Sequence, residues 1–330
     1  MLEAKPALEP IGSRAIVLAH DALATFRRLG CEAIPRKGVR LTRARTYLGE
    51  TELFTREFPP EFPDGLPTFV NLQQTYTEQA LLRQAQQNEL IDIRFNAPVS
   101  DLAEIDADYV VGADGAHSTV RKLLGVDFPG RSFDDRFLIA DIRADLPFPR
   151  EERRFYFDPP SNPGRQILIH PQPDGEWRID WQVAPETDPE EGLDVRIRAL
   201  VGDTPYELVW LTAYRFHSRL ASRFRVDGVF LAGDAAHLMA PFGARGMNSG
   251  VEDATALARA IASGDLDSYE AERRPAAIEN LRITGATMRF MAPPTRVHRF
   301  WRTAILRGSV RVPQLRRFVN SGKLPTPKRA

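Results

Sequence analysis

Cysteine is almost absent from this sequence: Cys31 stands alone among 330 residues. A single thiol excludes an internal disulfide and any cysteine-based metal cluster, and no metal site is expected. Net charge is absent too. The 44 basic residues balance 44 acidic ones, which leaves no electrostatic footprint for nucleic acid or an anionic membrane. No apolar run approaches the ~20 residues needed to cross a bilayer. The N-terminus lacks the charged-then-apolar layout of a secretory signal, so a cytoplasmic protein is expected. Internal repeats are missing as well. What remains is a chain that is 43% hydrophobic, long enough for one large domain or two medium ones. Its prolines gather in loop-like stretches at 59–67, 147–163 and 293–294.

The densest pattern lies at residues 228–257, GVFLAGDAAHLMAPFGARGMNSGVEDATAL. Val229-Phe230-Leu231-Ala232 is a short apolar run that reads as a buried strand. Gly233 permits a sharp turn, and Asp234 stands at the strand's carboxyl end, where open α/β sheets bind ligands. A loop rich in proline and glycine, 241–246, leads into a helix from about Met247. Val251, Ala254, Leu257, Ala258 and Ile261 share one face of it. The free N–H groups at such a helix start favour negative charge. A second strand–Gly–Asp–Gly signature, ADYVVGADG, runs from 107 to 115 and is followed by Ser118, Arg121 and a helix to Leu124.

The run G-D-A-A-H, then P-F-G-A-R-G-M-N-S-G, then E-D-A resembles the second FAD-binding motif of flavoprotein aromatic hydroxylases, the para-hydroxybenzoate hydroxylase superfamily. Its wording is most similar to the branch acting on substituted phenols and hydroxyphenylpropionates. Residues 107–121 resemble the same family's DG motif with its S-x-V-R ending. The resemblance implies an FAD-dependent monooxygenase: NAD(P)H reduces FAD, O2 reacts with the reduced cofactor, and one oxygen atom passes to a small phenolic or related aromatic substrate. It also implies site residues. Gly233 and Asp234 would serve ribityl or ribose hydroxyls, and Pro241 would pack by the isoalloxazine ring. Gly243 lies in the same loop, and Gly246, Met247 and Asn248 would turn N–H groups toward the pyrimidine edge. Asp114, Gly115 and Arg121 would serve FAD and the nicotinamide. Glu3 stands where the family has a glutamate for the adenosine ribose; a solvated terminal charge is the other reading. Arg14 matches an arginine near the flavin, with a surface arginine as its alternative. Gln74, or else Gln73, matches a cofactor-bonding glutamine just before a helix. No acid–base residue is assigned; His170, His217 and His237 suit by type, yet each also reads as structural.

The implied fold is mixed α/β (α+β). A Rossmann-like FAD-binding domain would cover 1–130 and 218–292, an inserted antiparallel-sheet substrate domain 131–217, and a helical tail 293–330. Locally, a helix from His20 to Leu29 is closed by Gly30. Weakly alternating strands at 38–58 suit the substrate-facing part. A helix is expected over 77–88 and an alternating strand over 91–95. Strand-like runs at 155–157, 166–170, 177–183 and 208–216 are broken by Pro-Asp-Gly and Asn-Pro-Gly turns. Tyr269 leads a helix ending Glu-Arg-Arg-Pro, and helices continue to about Phe318.

The chain contains no G-x-G-x-x-G loop, the element that would cradle the FAD pyrophosphate on backbone N–H groups. Glu3 would lie one βαβ unit into the family pattern, so about 30 residues are expected upstream. The link between Phe95 and Asp108 is short where the family has an extra pair of strands, and the branch's C-terminal domain would follow Leu324. Losing five charge-assisted hydrogen bonds at ~1.5 kcal/mol each would cost ~7 kcal/mol, about five decades in affinity. A truncated or degenerate member with weak or no FAD binding is therefore one rival reading. Another flavoenzyme on the same fold, a halogenase or an isoprenoid-lipid reductase, is the second, although the halogenase motif G-W-x-W-x-I is absent. NADH and NADPH, and a monomer and a homodimer, are all compatible with the sequence.

Overall fold

The computed structural model describes residues 1–8, 15–293 and 295–321. The chain divides into two compact units. The first comprises Met1–Lys37, Leu72–Ser132 and His217–Arg282; the second comprises Gly38–Asn71, Phe133–Phe216 and Ile283–Ala330. Residues 38–71 and the chain after 282 thus join the second unit, whereas the sequence suggested 1–130 and 218–292 for the first. The reason is strand pairing. Strand Arg43–Leu48 lies beside Glu152–Phe157, residue for residue, a partner more than a hundred positions away that local pattern cannot reveal.

In the first unit, strand Val229–Leu231 pairs antiparallel with Arg225–Val226 and parallel with Val110–Gly112. Phe230 and Leu231 are buried, as a short apolar run requires. Helix Arg245–Ser263 buries Asn248, Ser249, Asp253, Ala256, Leu257 and Ala260. Their spacing of three and four residues puts them on one stripe, and the alanines allow a close approach to the core. The helix ends at Gly264 in the left-handed region, whose N–H bonds the Ile261 carbonyl. Helix Asp267–Met291 contributes Tyr269. Its hydroxyl donates to the Leu231 carbonyl at 2.7 Å, and its ring meets Phe230 edge-on.

Helix His20–Arg28 buries Ala22, Leu23 and Phe26 and is followed by Gly30 at positive φ, as expected. Helix Gln74–Gln86 begins three residues before the expected start. Residues 91–95 do not form the expected strand. They run beside residues 1–3, but the only ladder contact there is a single parallel bridge between Leu2 and Arg94. The Glu3 N–H bonds the Arg94 carbonyl, and the Ala97 N–H bonds the Glu3 carbonyl, both at 2.9 Å. The alternating pattern lacks a second ladder to make it a strand, and most of its side chains face solvent.

In the second unit the strand order is Tyr206–Leu220, Gly130–Ala144, Glu176–Val183, Gln166–Pro171, Glu152–Phe157, Arg43–Leu48, Thr51–Glu57. The expected antiparallel sheet is therefore mixed, because Arg43–Leu48 and Glu152–Phe157 run parallel. Along Glu176–Val183 the side chains alternate. Trp177, Ile179, Trp181 and Val183 join Ile167, Ile169 and helix residues Ile197 and Val201 in one apolar cluster. The alternate residues, Arg178, Asp180 and Gln182, lie on the other face. There the Arg178 guanidinium holds Asp141 with two hydrogen bonds of 2.7 Å, both residues being buried. Removing one partner of a buried ion pair leaves an uncompensated charge. Asp141→Ala should therefore lower stability by about 3–5 kcal/mol in urea unfolding followed by near-UV circular dichroism, which Trp177 and Trp181 report. A loss below about 1 kcal/mol would show that water reaches Arg178.

Candidate functional site

The two glycine–aspartate signatures come together in the first unit. Strands Val110–Gly112 and Val229–Leu231 are parallel neighbours with Gly112 opposite Leu231, and the Ala232 N–H continues the ladder to the Gly112 carbonyl at 3.0 Å. Both following loops therefore leave the carboxyl ends of adjacent parallel strands. Gly112 is required by space: a Cβ there would lie 2.8 Å from Val120 Cβ and Cγ1. Gly233 is required by backbone conformation, at φ +59 with no atom within 4 Å of an added Cβ. A cavity of about 390 Å³ opens between the loops and helix Arg245–Ser263, lined among others by Ala113, Gly115, Gly233, Asp234, Gly250 and Ala254.

A buried carboxylate organises this cavity wall. Asp253 accepts the Gly233 N–H at 3.0 Å, His237 Nε2 at 2.6 Å and Arg273 Nε at 2.8 Å. Arg273 also donates to Glu252 at 2.8 Å. His237 is buried, and its Nδ1 has no hydrogen-bond partner among the described residues. Burial alone would raise the Asp253 pKa, but the bonds from His237, Arg273 and Gly233 outweigh it, and the carboxyl titrates below its usual range.

The residues singled out from the sequence divide by geometry. Gly115, Gly233 and Asp234 line the cavity. Asp234 is exposed within the turn Gly233–Ala235. Pro241 and Gly243 are exposed in the loop that enters the helix, and Gly246 and Met247 are partly buried in its first turn. Asn248 is drawn inward: its side chain accepts the Ala19 N–H at 2.9 Å and donates to the carbonyls of Val17 and Ala244. Gln74 acts similarly, accepting the Ala15 N–H at 3.3 Å and donating to Glu78 at 2.7 Å. Both thus hold the chain at 15–19. Arg14 lies outside the described residues. Glu3 sits on the segment paired with 94–97 and its carboxylate accepts the Lys5 N–H; it does not line the cavity. Asp114 caps the following helix, accepting Ser118 Oγ and the N–H groups of Thr119 and Val120. Arg121 is buried, donating to the carbonyls of Ala235 and Ala116 at 2.8 and 2.9 Å and stacking on Phe128. Burial lowers its pKa. It clamps the Asp114 loop to the Asp234 loop.

Ser118, noted with Arg121 in the S-x-V-R ending, caps helix Thr119–Leu123, whereas Asp253 and Arg273 were given no role, although both lie inside the motifs. Their signal was the motif spacing, E-D-A twenty residues before E-R-R-P. His237 was weighed as an acid–base candidate and proves to be the structural partner of Asp253. His217 bonds Ser132 at 2.8 Å, and His170 belongs to the second unit.

The cavity suits a nucleotide cofactor in kind. Its volume falls within the usual range for small-molecule sites. Its alanines and glycines leave the backbone accessible, and Asp234 offers an acceptor for hydroxyl groups. Comparison with known proteins agrees. Residues 100–284 match the FAD binding domain family. A 3-(3-hydroxy-phenyl)propionate/3-hydroxycinnamic acid hydroxylase of Mycolicibacterium gilvum (strain PYR-GCK) is 28% identical, over 93% of this chain and 58% of its own length. A flavin-dependent monooxygenase of Mycobacteroides abscessus is 32% identical, over 86% of this chain and 68% of its own. In fold, the chain matches p-nitrophenol 4-monooxygenase from Pseudomonas putida DLL-E4 with a TM-score of 0.81 at 23% identity, covering 100% of this chain and 92% of that one. The chain belongs to the FAD-binding monooxygenase family. It spans 58% of the length of the Mycolicibacterium gilvum relative.

The Asp253 network has a testable pH dependence. The folded-state pKa lies below the unfolded value of about 3.9. The carboxylate therefore contributes its full stabilisation above about pH 4 and loses it as pH falls through the folded pKa. Asp253→Asn should lower stability by about 3–5 kcal/mol at neutral pH, and the gap to the unaltered chain should narrow below about pH 4 in urea titrations. A gap independent of pH would remove Asp253 as the titrating group.

Proposed function

We propose that this chain carries the flavin-binding and substrate-binding parts of an FAD-dependent monooxygenase that hydroxylates a phenolic or related aromatic substrate with NAD(P)H and O2. One observation carries the reading. Two signatures more than a hundred residues apart leave the carboxyl ends of adjacent parallel strands and line one cavity, the position where open α/β sheets take nucleotides. The names of the relatives support the aromatic substrate. The lone, buried Cys31 suits a reducing, cytoplasmic setting.

When bound, FAD supplies the redox chemistry and the activation of O2. The chain's own residues bind and orient it. Asp234 accepts hydrogen bonds from ribityl or ribose hydroxyls. The first turn of helix Arg245–Ser263 offers the N–H groups of Gly246, Met247 and Asn248, fixed dipoles that favour negative charge at the pyrimidine edge. Pro241 and Gly243 bring the loop to the isoalloxazine ring. Asp114 and Arg121 act at one remove, holding Gly115 and the 233–235 turn in place. Glu3 is kept as the candidate for the adenosine ribose. Asn248 and Gln74 set the position of residues 15–19.

An FAD titration of the full chain, followed by flavin fluorescence, tests the reading. Binding in the micromolar range or tighter is expected, with NAD(P)H oxidation stimulated by phenols. Asp234→Ala should weaken FAD at least about tenfold, as expected for one charge-assisted hydrogen bond. Unchanged affinity would remove Asp234 from the site. Absence of any quenching would favour the rival in which the chain, having no G-x-G-x-x-G loop, does not bind FAD.

A further inference from the structure

The equal totals of acidic and basic residues conceal an uneven distribution. Glu279 is the last acidic residue of the chain, and residues 280–330 hold 12 lysines and arginines with no aspartate or glutamate. Two helices occupy the described part of this block, Arg296–Ser309 and Pro313–Ser321, both in the second unit.

Helix Arg296–Ser309 packs against strands Arg43–Leu48 and Thr51–Glu57. Its inward face is complete. Arg302, Leu306 and Ser309 are buried, and the Arg302 guanidinium donates to the Met291 carbonyl at 3.0 Å and lies over the Phe157 ring. The outward face is apolar as well. Val297, Phe300 and Trp301 are 65%, 67% and 60% exposed, and exposed Ala304 continues them one turn further on. Steps of three and four residues put these side chains on one stripe. The Phe300 and Trp301 rings meet edge-on at 5.9 Å between centroids, an arrangement that leaves most of both in water. Exposed Val310 and Val312 follow the end of the helix. Arg299 and Arg307 on the helix, and Arg311 just beyond it, are exposed and make no ion pair among the described residues. Contiguous exposed aromatic surface marks an interaction site, and the arginines beside it have no carboxylate in their own segment.

We propose that this stripe docks on the surface of an anionic lipid bilayer, with Val297, Phe300 and Trp301 entering the boundary between headgroups and acyl chains. The arginines meet lipid phosphates, which guanidinium groups grip through paired N–H donors. A basic helix with aromatic residues on one face lies in that plane. Area argues against a protein partner. Two aromatic side chains at ~150–250 Å² each, with one valine, fall short of the ~800 Å² per partner of a stable protein–protein interface. The contact is peripheral: no helix among the described residues is long and apolar enough to cross a membrane. It is also independent of the flavin reading, since no residue of either helix lines the cavity of the first unit.

Flotation of the full chain with vesicles of phosphatidylcholine alone, and of phosphatidylcholine with phosphatidylglycerol, tests the proposal. The anionic vesicles should bind at least about tenfold more tightly. Trp301→Ser and Phe300→Ser should each weaken that binding about tenfold. Arg307→Gln and Arg311→Gln should each weaken it about fivefold, and added salt should weaken it for the unaltered chain. Tryptophan emission should shift to the blue on vesicle binding, and the shift should be lost in Trp301→Phe. All four side chains are exposed, so the variants should keep the far-UV circular dichroism of the unaltered chain. No binding to anionic vesicles, or equal binding by all variants, would overturn the proposal. A dimer in sedimentation velocity that Phe300→Ser dissolves would assign the stripe to a second copy. Binding to polyglutamate without binding to vesicles would assign it to an acidic protein. Either result overturns the lipid surface.

Discussion

A single buried carboxylate sets the geometry of the first unit. Asp253 stands on helix Arg245–Ser263 and fastens three separate pieces of chain: the Gly233 N–H, the His237 ring and the Arg273 guanidinium. Each of these groups would be costly to bury alone. Together they neutralise one another and determine where the turn after strand Val229–Leu231 goes. That turn carries Asp234 and faces the turn that carries Gly115. The cavity exists because the helix, both turns and two parallel strands are tied to one point.

The second unit uses buried charge differently. Its apolar face, built on Trp177 and Trp181, makes an ordinary core. Its polar face buries the Arg178–Asp141 pair and the hydrogen bonds of Gln182 with Gln166 and Asp135.

Much of this was legible before any coordinates. The helix at 20–28, the strands at 110–112 and 229–231 and the long helix after the glycine loop follow from apolar periodicity and glycine placement, which are local properties. The alternation of residues 177–183 separated the two faces of the central strand correctly. Local pattern failed where pairing was non-local. Residues 91–95 alternate like a strand but find only one bridge, and although residues 38–58 do contain the strands Arg43–Leu48 and Thr51–Glu57, their pattern did not reveal Glu152–Phe157 as the parallel neighbour of the first. For the site, motif spacing picked out Asp234, Gly233 and Gly115, which line the cavity. It did not show that the side chains of Arg121 and Asp114 bond carbonyls, a hydroxyl and N–H groups of the two loops themselves.

The sequence by itself gave the family and the class of cofactor chemistry through the resemblance its two motifs carry, and the order of strand, acidic turn, glycine loop and helix through glycine placement and apolar runs, which act over a few residues. Only the tertiary structure decided that the two acidic turns share one cavity, that Asp253 is its anchor, and that Arg43–Leu48 runs parallel to Glu152–Phe157. Those facts depend on which strands pair and in what register. Register is set by burial of whole faces, a property of the assembled sheet and not of any one segment.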